Sequence, residues 1–156
     1  MKKLLTLCLL MAATLAITVQ EKPSKEKTIA FMRGVLESSI GQPYHGNHVV
    51  TQVSFDGDSY KNTLQNIHYK NDFQFIEYRA IKWEHFSSVS TEKTLEGVVD
   101  FNVWFDVKIE NIHDNGKSFS EIVQFLIPVL KKESFKKACL RLSEIAKEEN
   151  KDPFAN

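Results

Sequence analysis

One stretch of the chain, Val99–Glu110, constrains the fold more than any other. Apolar side chains occupy its odd positions, and every even position except Trp104 is polar or charged. Because successive side chains of a strand point to opposite faces of a sheet, this alternation predicts a long strand with one buried face. Such a strand is stable only if other strands pair with it and an apolar layer covers its odd-numbered face.

The rest of the chain predicts a helix at each end of a run of strands. Apolar residues at helical spacing predict one helix over residues 25–39, capped by Ser24, and a second over about residues 135–149. Alternating segments between them predict about 5–7 antiparallel strands, with hairpin turns at Asp56-Gly57 and Asn115-Gly116. Because strands and helices do not alternate, the predicted fold class is α+β. The sheet is expected to be a curved antiparallel sheet or partly open barrel, with an N-terminal helix and a C-terminal capping helix.

Three local predictions concern positions where the pattern changes. A bulge is predicted near residues 77–81, where the alternation changes face. Ser134 is predicted to cap the C-terminal helix. The strand after the Asn115-Gly116 turn is predicted to place four apolar residues on one face: Phe119, Val123, Phe125 and Ile127.

The first twenty residues have the layout of a secretory signal. Met1-Lys2-Lys3 is basic, Leu4–Val19 is apolar and uncharged, and polar residues follow from Gln20. A helix over this apolar run would span about 24 Å, which is less than the roughly 30 Å of a bilayer core. We therefore predict a signal peptide at residues 1–20 and one exported globular domain at residues 21–156, periplasmic or secreted. A retained membrane anchor is the alternative interpretation.

The charge balance argues against a nucleic-acid binder, and the cysteine content argues against a fold held by disulfides. Lys and Arg total 20, as do Asp and Glu, so the chain lacks the basic excess of a nucleic-acid binder. Removal of residues 1–20 would leave Cys139 as the single cysteine, which predicts no intramolecular disulfide. Because Cys139 lies on the apolar stripe of the C-terminal helix, it is expected to be a buried, inert thiol.

His45 and His48 are weak candidates for metal ligands. On a helix their spacing would present two imidazoles to one metal ion, but the glycine and proline around them predict a loop. No cysteine or helical glutamate accompanies the pair, so no metal and no cofactor are predicted. The other histidines are isolated in the sequence and are expected at the surface or at strand ends: His68, His85 and His113.

The acidic residues match neither a calcium loop nor a catalytic pair. Asp56-Gly57-Asp58 lacks the other ligands of a calcium-binding loop. Asp100 and Asp106 share the polar face of one strand but lie about 20 Å apart, which is too far for two carboxylates to act together. The chain also lacks a phosphate-binding loop, a nucleophile elbow and a CxxC motif, so no catalytic residue is predicted.

Trp104 is the exception on the polar face of the long strand. Because an exposed tryptophan often marks an interface or a ligand surface, we predict a binding surface formed by Trp104, Asn102 and Asp106. The alternative is that a loop or the N-terminal helix covers Trp104.

These patterns predict a non-enzymatic binding or interaction domain. Its partner would be a protein, an envelope component or a small apolar ligand. Two alternatives stay open. One is a carrier that holds a small apolar ligand between the sheet and the C-terminal helix. The other is a hydrolase-type enzyme whose histidines and carboxylates converge only in the folded chain.

The order of elements resembles that of small exported proteins of unknown function from Bacteroidota. The resemblance rests on the exported N-terminus, the entry helix Thr28–Ile40, and the segment from Phe135 to Leu142 that leads to Asp152-Pro153-Phe154. The order of strands followed by a helix is similar to a pleckstrin-homology-like fold with an additional N-terminal helix. A cystatin-like sheet wrapped on its first helix is the alternative. The resemblance implies no activity for named residues.

Overall fold

A computed structural model describes residues 22–91 and 97–151 of the chain. The predicted signal segment and Phe154 lie outside these ranges. Among the described elements, helix α1 (Lys25–Glu37) is the first and helix α2 (Lys132–Glu149) is the last. Between them the described residues form seven strands: β1 (Pro43–Tyr44), β2 (His48–Phe55), β3 (Tyr60–Asn66), β4 (Phe73–Arg79), β5 (Phe86–Thr91), β6 (Val98–His113) and β7 (Gly116–Pro128).

All strand pairs are antiparallel, and β6 is the centre of the sheet. Strands β1, β2, β3 and β4 are neighbours in that order, and β4 pairs with the second half of β6. Strand β5 pairs with the first half of β6, and β7 pairs with β6 along its other edge. The predicted α+β class, with an open antiparallel sheet and a helix at each end, is confirmed.

The two helices begin in different ways. Ser24 caps α1 as predicted, because its Oγ accepts a hydrogen bond from the Lys27 backbone N–H at 3.3 Å. The prediction that Ser134 caps α2 is wrong. A short 3₁₀ turn, Val129–Lys131, already leads into the helix, and the Ser134 hydroxyl donates to the Lys131 carbonyl. Among the described residues, no helix combines the length and the apolar character needed to cross a membrane.

The core lies between the odd-numbered face of β6 and the two helices. Apolar side chains at the odd positions of β6 are buried, as the alternation predicts, except Val107, which is half-buried. The Phe135 ring of α2 meets the Phe101 ring at 5.2 Å and the Phe125 ring at 5.4 Å, both in edge-to-face geometry. These aromatic contacts attach α2 to the centre of the sheet.

The predicted position of Phe119 is wrong. Val123, Phe125 and Ile127 are buried, whereas Phe119 is 59% exposed. The cause is a register shift, since Trp104 pairs with Ile122 while Ile109 pairs with Ser120. Four residues of β6 therefore face a single residue of β7, and side chains of β7 before the shift change face.

An irregular segment separates β4 from β5, close to the predicted bulge. It covers residues 80–85, begins at Ala80 with a φ of +53° and contains a 3₁₀ turn, Trp83–His85. Trp83 is buried there, and its Nε1–H donates to the Gly57 carbonyl at 2.6 Å. The segment lets β4 and β5 follow the same edge of β6 while Trp83 fills the space between them.

Two tyrosine hydroxyls lie against the edge of β7 that faces away from β6. The Leu126 backbone N–H donates to the Tyr60 hydroxyl at 3.1 Å, and the Gln124 backbone N–H donates to the Tyr78 hydroxyl. Burial raises the pKa of Tyr78 to about 12 and also raises the pKa of Tyr60. Tyr60 and Tyr78 are paired across β3 and β4, so this half of the sheet contacts β7 through side chains.

Gly97, at the entrance to β6, is expected to tolerate alanine poorly. Its φ is +74°, and an added Cβ would lie 2.8 Å from the Pro43 carbonyl oxygen. Gly46 is a matched control, because its φ is +73° and a Cβ would meet no heavy atom within 4 Å. Urea unfolding should show a loss of about 1–2 kcal/mol for Gly46→Ala from backbone strain alone and a larger loss for Gly97→Ala. Equal losses would show that the close approach of Pro43 in β1 to Gly97 adds nothing to the cost of the Gly97→Ala substitution.

Candidate functional site

Trp104 lies on the face of β6 opposite the helical core. Its side chain is 38% exposed, and its Nε1–H donates to the Ser90 hydroxyl at 3.2 Å. Its cross-strand neighbours are Ser88 of β5 and Ile122 of β7. Helix α1 makes its main contacts with β2, β7 and α2, so the part of the alternative that places this helix over Trp104 is not supported.

Asn102 and Asp106 lie two residues before and two residues after Trp104 on β6, and the pairing of the strand with β7 differs at the two positions. Asn102 is half-buried and pairs with Ser90 on one side and Gln124 on the other. Asp106 is exposed and falls in the part of β6 where the pairing with β7 shifts. Asn102 and Trp104 therefore lie in the part of β6 that is paired with β7, and Asp106 lies in the part where this pairing shifts.

A cleft of about 670 Å³ opens on the same side of β7. Its walls include two amides of the β3–β4 pair, Asn62 and Gln74, together with Tyr44 of β1 and Gln124 of β7. Gln124 pairs with Asn102, so the cleft borders the sheet face that carries Trp104 at this strand pair. Polar groups that converge on a concave surface are typical of ligand sites.

Asp100 lies next to the cleft, in contact with its lining residue Tyr44, and is almost completely buried, with 2% exposure. It points to the same face of β6 as Asn102 and Trp104, because alternate residues of a strand share a face. The Tyr44 hydroxyl donates to its Oδ2 at 3.3 Å, and His45 Nε2 lies 3.4 Å from the same oxygen. Among the described residues, Oδ1 of Asp100 has no hydrogen-bond partner.

The backbone holds His45 over Asp100 in an uncommon conformation. The φ of His45 is +47°, in the left-handed region that residues other than glycine rarely occupy. The rings of Tyr44 and His45 pack at 4.1 Å between centroids. A buried carboxylate with incomplete hydrogen bonding and a left-handed residue beside it is typical of a functional site more than of a packing core.

His45 and His48, the weak metal candidates, lie on either side of a turn. His48 begins β2 and pairs with Tyr44, and its Nε2 is buried without a hydrogen-bond partner among the described residues. His45 instead contacts Asp100. No three His, Cys, Asp or Glu side chains in the described part of the chain are placed to hold a metal ion.

Cys139 is buried in the helical core, as expected. Burial raises the pKa of its thiol, so the reactive thiolate is disfavoured. Of the isolated histidines, His113 ends β6 and lines the cleft beside Asp114. The other two lie outside the cleft: His68 in the turn before β4 and His85 in the 3₁₀ turn before β5.

Sequence reasoning missed the roles of Asp100, Tyr44 and Gln124. The alternation of β6 assigns Asp100 to the polar face, and that assignment is correct. The strand pattern does not show that β1 and the start of β2 fold over the first residues of β6. The one available signal is Val98, an apolar residue two positions earlier on the same face, which packs against Val50 of β2.

Comparisons of the chain with family models, with curated proteins and with solved structures find no match in any of the three. The predicted likeness to small exported proteins of Bacteroidota and to a pleckstrin-homology-like fold stays a prediction.

Proposed function

We propose that the protein is an exported, non-enzymatic binding domain. Its ligand surface is the sheet face around Trp104 and Asn102 together with the adjoining cleft. The observation that carries the proposal is the partial exposure of Trp104, on a sheet face away from the helices and next to a cleft of about 670 Å³. The signal-like layout of residues 1–20 supports export to the periplasm or the medium.

The structure favours this surface over an apolar cavity under α2. The carrier hypothesis places its ligand between the sheet and α2, where the buried rings of Phe101, Phe125 and Phe135 are in contact. A ligand in that space would have to displace well-packed aromatic side chains. The polar cleft on the opposite face needs no such rearrangement.

A hydrolase-type activity is the second candidate, because His45 lies within 3.4 Å of Asp100. A buried carboxylate beside an imidazole is the arrangement that orients a general base. The His45 side chain is 49% exposed, and its hydrogen bonding among the described residues reaches Asp100 alone, without a hydroxyl or thiol nucleophile. This partial arrangement ranks the enzyme below the binding domain.

Trp104→Ala is expected to remove most of the binding. The purified protein would be screened by calorimetry against peptides, oligosaccharides and phospholipid vesicles. Loss of a tryptophan at the centre of an interface costs about 2 kcal/mol or more, so the tightest probe should bind roughly 30-fold more weakly. Phe119→Ala, which removes another exposed aromatic beyond the register shift, should leave its affinity unchanged. Equal affinity for Trp104→Ala and the parent would overturn the proposed surface.

A panel of hydrolase substrates separates the two candidates. The binding-domain proposal expects no turnover of esters, amides, glycosides or phosphoesters by the purified protein. Turnover that disappears in His45→Gln, while the variant unfolds at the same temperature as the parent, would establish the enzyme and overturn the non-enzymatic proposal.

A further inference from the structure

We propose that the cleft beside Tyr44 binds a cationic nitrogen group, an ammonium or a guanidinium, on the buried carboxylate of Asp100. This inference rests on the proposed binding function and names the chemical class of its ligand. The ligand is a compound whose amine or guanidine is carried on a short apolar stem, such as a polyamine or the side chain of a lysine or arginine in a peptide.

The hydrogen bonding of Asp100 is incomplete. Its Oδ2 has two contacts, at 3.3 Å with Tyr44 and 3.4 Å with His45, and both are longer than a usual charge-assisted hydrogen bond. Its Oδ1 has no partner among the described residues. Because a buried carboxylate is costly unless it is paired and fully hydrogen-bonded, Asp100 is suited to a ligand that supplies both a positive charge and N–H donors.

Asp100 lies on the face of β6 that is shared with the cleft and is one side chain removed from the lining residues, which it reaches through Tyr44. Asp100 and Asn102 share one face of β6, and Gln124, the partner of Asn102, lines the cleft on that face. Tyr44 forms the link, since it also lines the cleft and its hydroxyl donates to Asp100. The half-exposed His45 ring covers the carboxylate from outside through a long contact, so a cationic group can replace it without disturbing the core.

The charge of the cleft favours a cation. Two further carboxylates, Asp72 and Asp114, line it, and no lysine or arginine is found among its described lining residues. Lys61, outside the lining, has its Nζ 5.2 Å from the ring centroid of the lining residue Phe75. Carboxylates that line a concave surface concentrate cations at its entrance.

The remaining walls of the cleft fit an apolar stem. Leu64 and Ile76 present aliphatic surface on β3 and β4, and Tyr44 presents an aromatic ring close to Asp100. A cation near an aromatic ring gains additional electrostatic attraction. The amides of Asn62 and Gln124 can position polar groups elsewhere on the ligand.

Calorimetry with matched cationic and neutral probes tests the proposal. Spermidine represents a free polyamine, the peptides Gly-Lys-Gly and Gly-Arg-Gly represent cationic side chains, and Gly-norleucine-Gly is the neutral control. We expect at least one cationic probe to bind, and to bind at least about tenfold more tightly than the neutral peptide. Preference for spermidine over both peptides would identify a free amine as the ligand, and the reverse preference a peptide side chain.

Asp100→Asn should weaken the tightest cationic probe at least about tenfold, because the amide keeps the shape of the carboxylate and removes its charge. Asp58→Asn, a control at an exposed position in the turn between β2 and β3 and outside the cleft, should change the affinity less than twofold. The melting temperature of Asp100→Asn should equal or exceed that of the parent, because the substitution removes an incompletely paired buried charge. A clearly lower melting temperature would assign Asp100 a structural role and overturn the inference.

Other outcomes separate this inference from the proposed function. Equal binding of cationic and neutral probes, or unchanged affinity in Asp100→Asn, would overturn the cation site. A neutral oligosaccharide that binds in a Trp104-dependent and Asp100-independent manner would do the same and leave the binding function in place. Binding of a cationic probe that depends on Asp100 but is unaffected by Trp104→Ala would support the cation site and remove Trp104 from the ligand surface.

Discussion

Phe125→Ala is expected to lower the free energy of unfolding by about 3–5 kcal/mol. The Phe125 side chain is completely buried. Its ring lies between 4.6 and 6.4 Å, centroid to centroid, from four other rings: Phe55, Tyr60, Trp83 and Phe135. Because these rings come from four different segments of the chain, no single element can move inward to fill the space that alanine leaves. Urea denaturation followed by circular dichroism measures the loss.

Phe119→Ala is the matched control on the same strand. The two phenylalanines are six residues apart, so simple alternation would place both side chains on the same face of the strand. Phe119 lies beyond the register shift and is exposed, with Lys117 Nζ 5.5 Å from its ring centroid. Its replacement should change the free energy of unfolding by no more than about 0.5 kcal/mol. A loss comparable to that of Phe125→Ala would contradict the shifted pairing of β6 and β7.

Removal of both hydroxyls in a Tyr60→Phe, Tyr78→Phe double variant should have the second large effect. Each hydroxyl accepts a hydrogen bond from a backbone amide of β7, and Tyr60 also accepts one from the Asn62 side chain. A buried donor left without a partner costs about 1–3 kcal/mol, so the two amides together cost roughly 2–6 kcal/mol. Tyr69→Phe, at an exposed position, should leave stability unchanged. A double variant as stable as the parent would show that water replaces both hydroxyls.

The same two tyrosines are expected to make the fold sensitive to alkaline pH. Burial raises the pKa of Tyr78 from 10.0 to about 12, so the unfolded chain loses this proton first as the pH rises. Between those values the unfolded state binds fewer protons than the folded state, and stability therefore falls with rising pH. The loss for Tyr78 alone amounts to roughly 2–3 kcal/mol once the pH has passed about 12. The double variant should show a shallower decline than the parent, and an equally steep decline would contradict the assignment.

Patterns within single elements predicted much of the fold. The alternation in Val99–Glu110 predicted a strand with a buried odd face, and Asn115-Gly116 predicted the turn that joins it to β7. Both signals are local, because side-chain direction and turn geometry depend on a few neighbouring residues. The exposed position of Phe119 was not predicted, since it depends on how two strands pair. The sequence of β6 or of β7 alone does not indicate where four residues of β6 will lie opposite one residue of β7.

The candidate site was harder to predict for the same reason. Trp104 could be found from its exceptional place in a polar pattern, and Asn102 from its position two residues away on the same face. Asp100 looked like an ordinary solvent-facing residue of that pattern, and it becomes buried only because β1 folds across the start of β6. The close approach of Gly97 to Pro43 belongs to this long-range contact. No short stretch of sequence contains both partners, so the burial of Asp100 required coordinates.

The tyrosine hydroxyls at β7 also bear on whether copies of this protein polymerise. An open sheet normally offers its outermost backbone amides to a strand from another molecule, which can begin a fibril. Here the amides of Gln124 and Leu126 are already occupied by phenol oxygens of the same chain. Sheet extension through β7 is therefore blocked in the native protein, and a chain without both phenols should form intermolecular sheets more readily during storage.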